Sequence, residues 1–112
     1  IKVCDQVKVL SYETGDLEKF HTHVETNKFH WHGLLPVNPA TREVTDYSQM
    51  KMSNSFSELK VPISSNGIYN FKNGDRCSDG RIGNLIVSVN GAEQKDFLNY
   101  ILKDGDHISI EF

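Results

Sequence analysis

The stretch FHTHVETNKFHWH, residues 20 to 32, decides how this chain is read. Phe20, Thr22 and Val24 alternate with His21 and His23; after a short polar break, Phe29 and Trp31 alternate with His30 and His32. Successive side chains of a strand leave on opposite faces, so each half predicts a strand with imidazoles on one side and mainly apolar groups on the other. Folding about Thr26-Asn27 would set His23 opposite His30 and His21 opposite His32, with Phe20, Val24, Phe29 and Trp31 on the far face. Opposed Cβ atoms then lie about 4.5 to 5.5 Å apart, within reach of one ion bound at about 2.0 to 2.1 Å by each imidazole nitrogen.

Imidazole suits zinc, copper, iron and nickel, whereas calcium and magnesium prefer oxygen, so the expected ion is zinc or copper(II). Four histidines would fill a closed site; three would leave an open position for water or substrate. Glu25 is the candidate carboxylate to orient an imidazole through its second nitrogen. His107, on the outward face of the last strand with Ser109 and Glu111, is a further candidate ligand if that strand lies beside the hairpin. The competing reading is four solvated histidines on a polar face. Four of the five histidines within residues 21 to 32, with one parity per strand, favour the metal.

Outward from the hairpin, Ile1, Val3, Val7 and Val9 alternate with Lys2, Gln6 and Lys8 and predict an N-terminal strand, its apolar face broken by Asp5. Pro36, Asn38 and Pro39 end the third strand in a loop. Ser55-Phe-Ser-Glu58 has the form of a capping box, so a short helix is expected there and must stop before Pro62. Ile68-Tyr-Asn-Phe71 reads as an edge strand. Leu85 to Val89 is an apolar run ending in Asn90-Gly91, a strong hairpin signal, and His107 to Phe112 is a closing strand with Ile108, Ile110 and Phe112 on one face. Asp75, Asp79, Asp104 and Asp106 flank glycines without calcium-loop spacing and read as turn residues. The expected fold is mostly β (α+β): residues 1 to 112 as a single small domain of antiparallel and mixed sheet with one short helix.

A net charge of −3 provides no basic footprint for nucleic acid or an anionic membrane, and no apolar run reaches the roughly 18 residues a bilayer span requires. The Ile1-Lys-Val-Cys4 start reads as a processed or trimmed end. Cys4 and Cys77 lack a C-x-x-C pattern; they read as a disulfide in an oxidising compartment, with two buried thiols as the alternative. No serine-triad order, HExxH helix, P-loop or dinucleotide turn is present, so an enzyme is not expected.

The pattern of His21-Thr-His23, His30 and His32, then Phe56-Ser-Glu-Leu59, Val87-Ser-Val-Asn-Gly91 and Tyr100-Ile-Leu-Lys-Asp-Gly-Asp-His-Ile108 resembles an uncharacterised group of secreted or membrane-anchored bacterial and archaeal domains. The resemblance spans about residues 20 to 112 and implies an extracytoplasmic location without a particular activity. The second H-x-H departs from that group, so any site carries over only to His21, His23 and His30. The closing D-G-D-x-I-x-I also resembles β-grasp domains. Sulfur-carrier members need a C-terminal Gly-Gly where this chain has Glu111-Phe112; a β-grasp-like topology is the part that carries over. Two functions follow: an extracellular, periplasmic or cell-surface metal-binding module, or a subunit of an extracellular filament or other homo-oligomer in which the N-terminal strand, residues 1 to 10, adds to a neighbour's sheet.

Overall fold

A computed structural model describes all of residues 1–112. The N-terminal segment is not one strand. Cys4 and Asp5 both take positive φ (49° and 64°) and fold it into a tight hairpin of β1 (Lys2–Val3) and β2 (Gln6–Val7). Val3 is therefore buried, while Val7 and Val9, expected on the same apolar face, are exposed. Farther along come β3 (Phe20–His21), β4 (His30–Trp31), the helix α1 (Met52–Glu58), and three two-residue strands, β5 (Ile63–Ser64), β6 (Gly67–Ile68) and β7 (Phe71–Lys72). The last three form a small meander of their own. Tyr69, at φ 53°, turns the chain between β6 and β7, which is why the expected edge strand over 68 to 71 is instead a hairpin.

The C-terminal part is β8 (Ile86–Val89), β9 (Ala92–Glu93) and β10 (Ile108–Glu111). Asn90 and Gly91 both have positive φ and close the β8–β9 hairpin, as their sequence predicts. The main sheet runs β2-β1-β10-β8-β9. Its first and last strands pair in parallel at the centre and a hairpin flanks each side, a β-grasp-like arrangement. The N-terminal strand is thus engaged in its own chain: the Phe112 amide donates to the Lys2 carbonyl and the Cys4 amide to the Phe112 carbonyl.

The helix begins earlier than the capping box implies. Lys51 precedes it, and Ser55 lies inside it, fully buried, donating its hydroxyl to the Met52 carbonyl. A buried serine can satisfy its hydroxyl within the preceding turn, so S-x-x-E here is a helix interior and not an N-cap. Met52, Phe56 and Leu59 face the core, where they join Val3, Val87, Val89, Ile110 and Phe112 from the main sheet, Phe97, Leu102, Ile68 and Phe20. Glu58 at the helix end accepts the Phe20 amide at 2.7 Å and anchors β3 to the helix.

Only 19 of 112 residues are buried, so the core is thin and covalent and turn restraints carry more of the stability. The Cys4–Cys77 disulfide is formed, with Cα atoms 5.4 Å apart, and joins the β1–β2 turn to the loop after β7. Asp106 does related work before β10. Its carboxylate accepts from the Lys103 amide, Asn90 Nδ2 and the Tyr100 hydroxyl, at 2.9 to 3.1 Å. Burial alone would raise its pKa; these hydrogen bonds outweigh burial and hold it below the usual carboxylate range.

Replacing both cysteines by serine is expected to destabilise the fold by up to about 4 kcal/mol, the loop-closure value for a bridge of this span, measured by urea unfolding. Asp106→Ala is expected to cost about 1 to 2 kcal/mol at pH 7, at the low end of a charged hydrogen bond because the site is partly exposed. The folded pKa is lowered, so this contribution is present above the unfolded carboxyl value of about 3.9 and is lost as pH falls through the folded one. The gap between the two unfolding curves is therefore expected to narrow toward pH 2.

Candidate metal centre

The histidine face is built on a strand bonded along both edges. On one side β3 pairs with β4, with Phe20 opposite Trp31 and His21 opposite His30. On the other side lies the segment 13–16: Glu13 N donates to His23 O, Thr22 N to Thr14 O and Asp16 N to Phe20 O. Gly15, at φ +101°, lies so close that a Cβ there would overlap the Phe20 carbonyl oxygen. Glycine is required by both the backbone angle and the approach.

This pairing moves the hairpin register by two residues from the expected one. Beyond His21 the strand is held by the 11–14 segment instead of β4; the Thr22 hydroxyl donates to the Ser11 carbonyl. The loop tip is drawn the same way, with Asn27 Oδ1 accepting the Leu10 amide and Tyr12 bonded to Thr26. Val24, expected on the core face, falls in this loop and is 72% exposed. A slip of two preserves face parity. Phe20 and Trp31 pack together on the core side, and the histidines remain together on the other.

His21 is 2% exposed and its Nδ1–H donates to the Lys19 carbonyl at 2.9 Å. That bond places the proton on Nδ1 and leaves the Nε2 lone pair free for a cation. His23 and His32 are exposed, and ligand nitrogens of His21, His23 and His32 all lie within 4.8 Å of one another. Three nitrogens on one tetrahedral ion with bonds of about 2.0 to 2.1 Å would sit about 3.3 Å apart. Rotation of the two solvent-facing side chains would supply that closure with His21 left in place.

His30 is half-buried and beside this group, its ring 4.9 Å from that of His23 and 5.9 Å from that of His21. Its Nε2–H donates to Glu25 Oε2 at 3.1 Å. That hydrogen bond is the main reason the exposed Glu25 carboxyl is held below its usual range, with the nearby charges of His30, Lys28 and His23 adding to it against a burial cost. His107 is elsewhere: exposed, with its amide bonded to Asn90 Oδ1 at the β8–β9 turn and its ring outside the imidazole cluster. The final strand lies in the main sheet and not beside β3 and β4, which separates it from the site.

Sequence reasoning overlooked the Lys19 carbonyl, the 13–16 segment and Glu58. Gly15, between Thr14 and Asp16, signals a turn, but nothing local indicates which strand that turn adjoins. Compared with known protein families, curated proteins and solved structures, the chain matches none.

Gly15→Ala is expected to destabilise the protein by about 2 kcal/mol or more, since it adds a backbone clash to an unfavourable φ. Gly105→Ala, also at positive φ but facing open space, is expected to cost only about 1 kcal/mol. Urea unfolding of the two variants checks the difference.

Proposed function

We propose that this is an extracytoplasmic metal-binding module whose centre on the β3–β4 hairpin takes up zinc or copper(II). The observation that carries the reading is the convergence of the His21, His23 and His32 ligand nitrogens within 4.8 Å, with His21 presenting a free Nε2. The donors are all imidazole nitrogens, which suits a borderline transition metal and not calcium or magnesium. The Cys4–Cys77 bridge supports placement in an oxidising compartment, in line with the resemblance to secreted and membrane-anchored domains. No helix is long and apolar enough to cross a membrane.

No buried side-chain nitrogen or oxygen lacks a hydrogen-bond partner, so the folded state does not depend on an ion to satisfy an orphaned group. Metal binding here is an addition to a fold already formed, unlike in zinc fingers, where binding and folding coincide. Such an ion would serve transfer or bridging.

A second reading is a structural subunit assembled by strand addition. It rests on the outer edge strand β2, where Val7 is 72% exposed and Val9 beyond it 52% exposed. In this reading the docking element is that edge, since β1 is held by β10. Size in solution separates the two: a metal module runs near 12.7 kDa, whereas a subunit forms large assemblies that survive chelation.

The deciding measurement is metal content of the natively purified protein by elemental mass spectrometry, with chromatographic size on the same sample and zinc and copper titration of the stripped protein. The expected result is near-stoichiometric uptake. His23→Ala and His32→Ala are each expected to weaken it at least roughly 100-fold, since loss of an outer-shell partner alone costs 10- to 100-fold. Chelation should leave the fold unchanged by circular dichroism. No uptake by the parent protein, or full uptake by both variants, overturns the metal reading.

A further inference from the structure

The β1–β2 hairpin is joined to the rest of the protein by few interactions, and one of them is covalent. Its strands are two residues long and its turn is Cys4-Asp5, both at positive φ (49° and 64°). Tight hairpin turns with two positive φ angles favour Asn-Gly, and Cys-Asp is a poor substitute. A lone two-stranded hairpin is at best marginally stable in water. Toward the last strand the pairing is the single register pair Lys2–Glu111. The Phe112 amide donates to the Lys2 carbonyl at 2.9 Å and the Cys4 amide to the Phe112 carbonyl at 3.0 Å. Val3 is the one buried residue among residues 1 to 10. The remaining tie is the Cys4–Cys77 bridge.

That bridge is asymmetric. Cys77 is 5% exposed whereas Cys4 is half-buried, so Cys4 is the accessible side and Cys77 the leaving side. Arg81 Nη2 lies 3.7 Å from Cys77 Sγ and donates to the Phe112 carbonyl at 3.1 Å. The Cys77 amide donates to the Arg81 carbonyl and the Gly80 amide to the Cys77 carbonyl, so the turn itself sets the guanidinium beside the sulfur. A cation next to a thiol favours its thiolate, and a stabilised thiolate leaves faster in thiol–disulfide exchange. A cleft of about 150 Å³ runs along the junction, lined by Lys2 and Asp5 from the hairpin and by Arg81, Asn84 and Glu111.

We propose that Cys4–Cys77 is a reducible latch on the β1–β2 hairpin, that Arg81 promotes its opening, and that the open form uncovers the edge of β10. A thiolate of a dithiol reductant attacks Cys4 Sγ, the S–S bond breaks, and Cys77 leaves as a thiolate beside Arg81. The reductant's second thiol then displaces Cys4, giving two cysteine thiols and the reductant's own disulfide; the protons lost by the reductant return to the cysteines through solvent. The β8–β10 ladder, four pairs from Ile108–Val89 to Glu111–Ile86, does not involve the hairpin. The core beneath it draws only Val3 from the hairpin, with Ile1 and Cys4 at its margin. The open form therefore keeps its core and presents unpaired backbone groups of β10 at what was the middle of the sheet, an edge that accepts a strand from another chain. This inference is independent of the metal centre.

The experiment is residue-resolved amide hydrogen exchange of the full chain without added metal, before and after reduction by dithiothreitol, with reduction rates measured for the parent protein, Arg81→Gln and Arg81→Lys. In the reduced parent the Cys4 and Phe112 amides are expected to lose protection by about 10-fold or more, while the amides of the β8–β10 ladder keep theirs. Arg81→Gln is expected to be reduced about 3- to 10-fold more slowly, from a rise of about one to two units in the pKa of the leaving thiol, and Arg81→Lys to recover part of the rate. A merely structural Arg81 gives the opposite sign, because losing its bond to the Phe112 carbonyl loosens the junction and speeds reduction. Reduction of Arg81→Gln as fast as the parent, or faster, overturns the role of Arg81. Loss of protection throughout β8 and β10 together overturns the latch and makes the bridge a staple of the whole fold. Full reduction with the Cys4 and Phe112 amides unchanged, or a bridge that dithiothreitol opens only after unfolding in urea, overturns it likewise.

Discussion

Adjacent residues of an extended strand point in opposite directions, and in this protein that constraint places the core and the candidate metal centre one residue apart. Phe20 is 1% exposed and His21 is 2% exposed, yet they are buried against different things. Phe20 lies against Phe29 and Trp31 on the side that meets the helix. His21 is covered by the neighbouring imidazoles and by the backbone strand through Gly15. Fixing one therefore fixes the other. The apolar contact of Phe20 and its amide bond to Glu58 hold the backbone that carries the His21 ring, and the Lys19 carbonyl selects its tautomer.

That rigidity is unevenly distributed, and the unevenness suits metal capture. The backbone of His21 is paired along both strand edges, whereas the side chains of His23 and His32 stand in solvent. A preorganised donor would lower the ordering cost of the first bond to an ion, and the exposed donors could complete coordination without straining the hairpin. Elsewhere the same economy holds. A thin core is supplemented by a covalent bridge, a parallel β1–β10 pairing and turn residues such as Asp106 whose hydrogen bonds replace missing apolar burial.

Much of this was legible in the sequence because it depends on period and not on partner. Alternation at 20 to 24 and 29 to 32 places the four histidines on one face in every register of the same parity, and so survives a two-residue slip. Asn90-Gly91 and the Ile108, Ile110, Phe112 face are local signals and behave as such. The failures occur where a local pattern meets a tertiary competitor. Val24 continues the alternation, but Thr22 and His23 are claimed by the 11–14 segment, so the strand leaves β4 before reaching it. The Ile1 to Val9 alternation would suit a free strand, but positive φ at Cys4 and Asp5 folds it back. No periodicity reports a backbone reversal at non-glycine residues; Asp5, interrupting the apolar face, was the only hint.

The location of the centre on a two-stranded ribbon also bears on what it can do. A site enclosed by helices or by packed sheets surrounds its ion and imposes a three-dimensional cage, and water is excluded from all sides. A ribbon face supplies donors from below only, so one hemisphere of any bound ion is left to solvent or to a second molecule. Such a site exchanges its ion readily and exposes it to competing ligands, which is a poor arrangement for a permanent structural metal. It is a workable one for an ion that must be accepted and passed on.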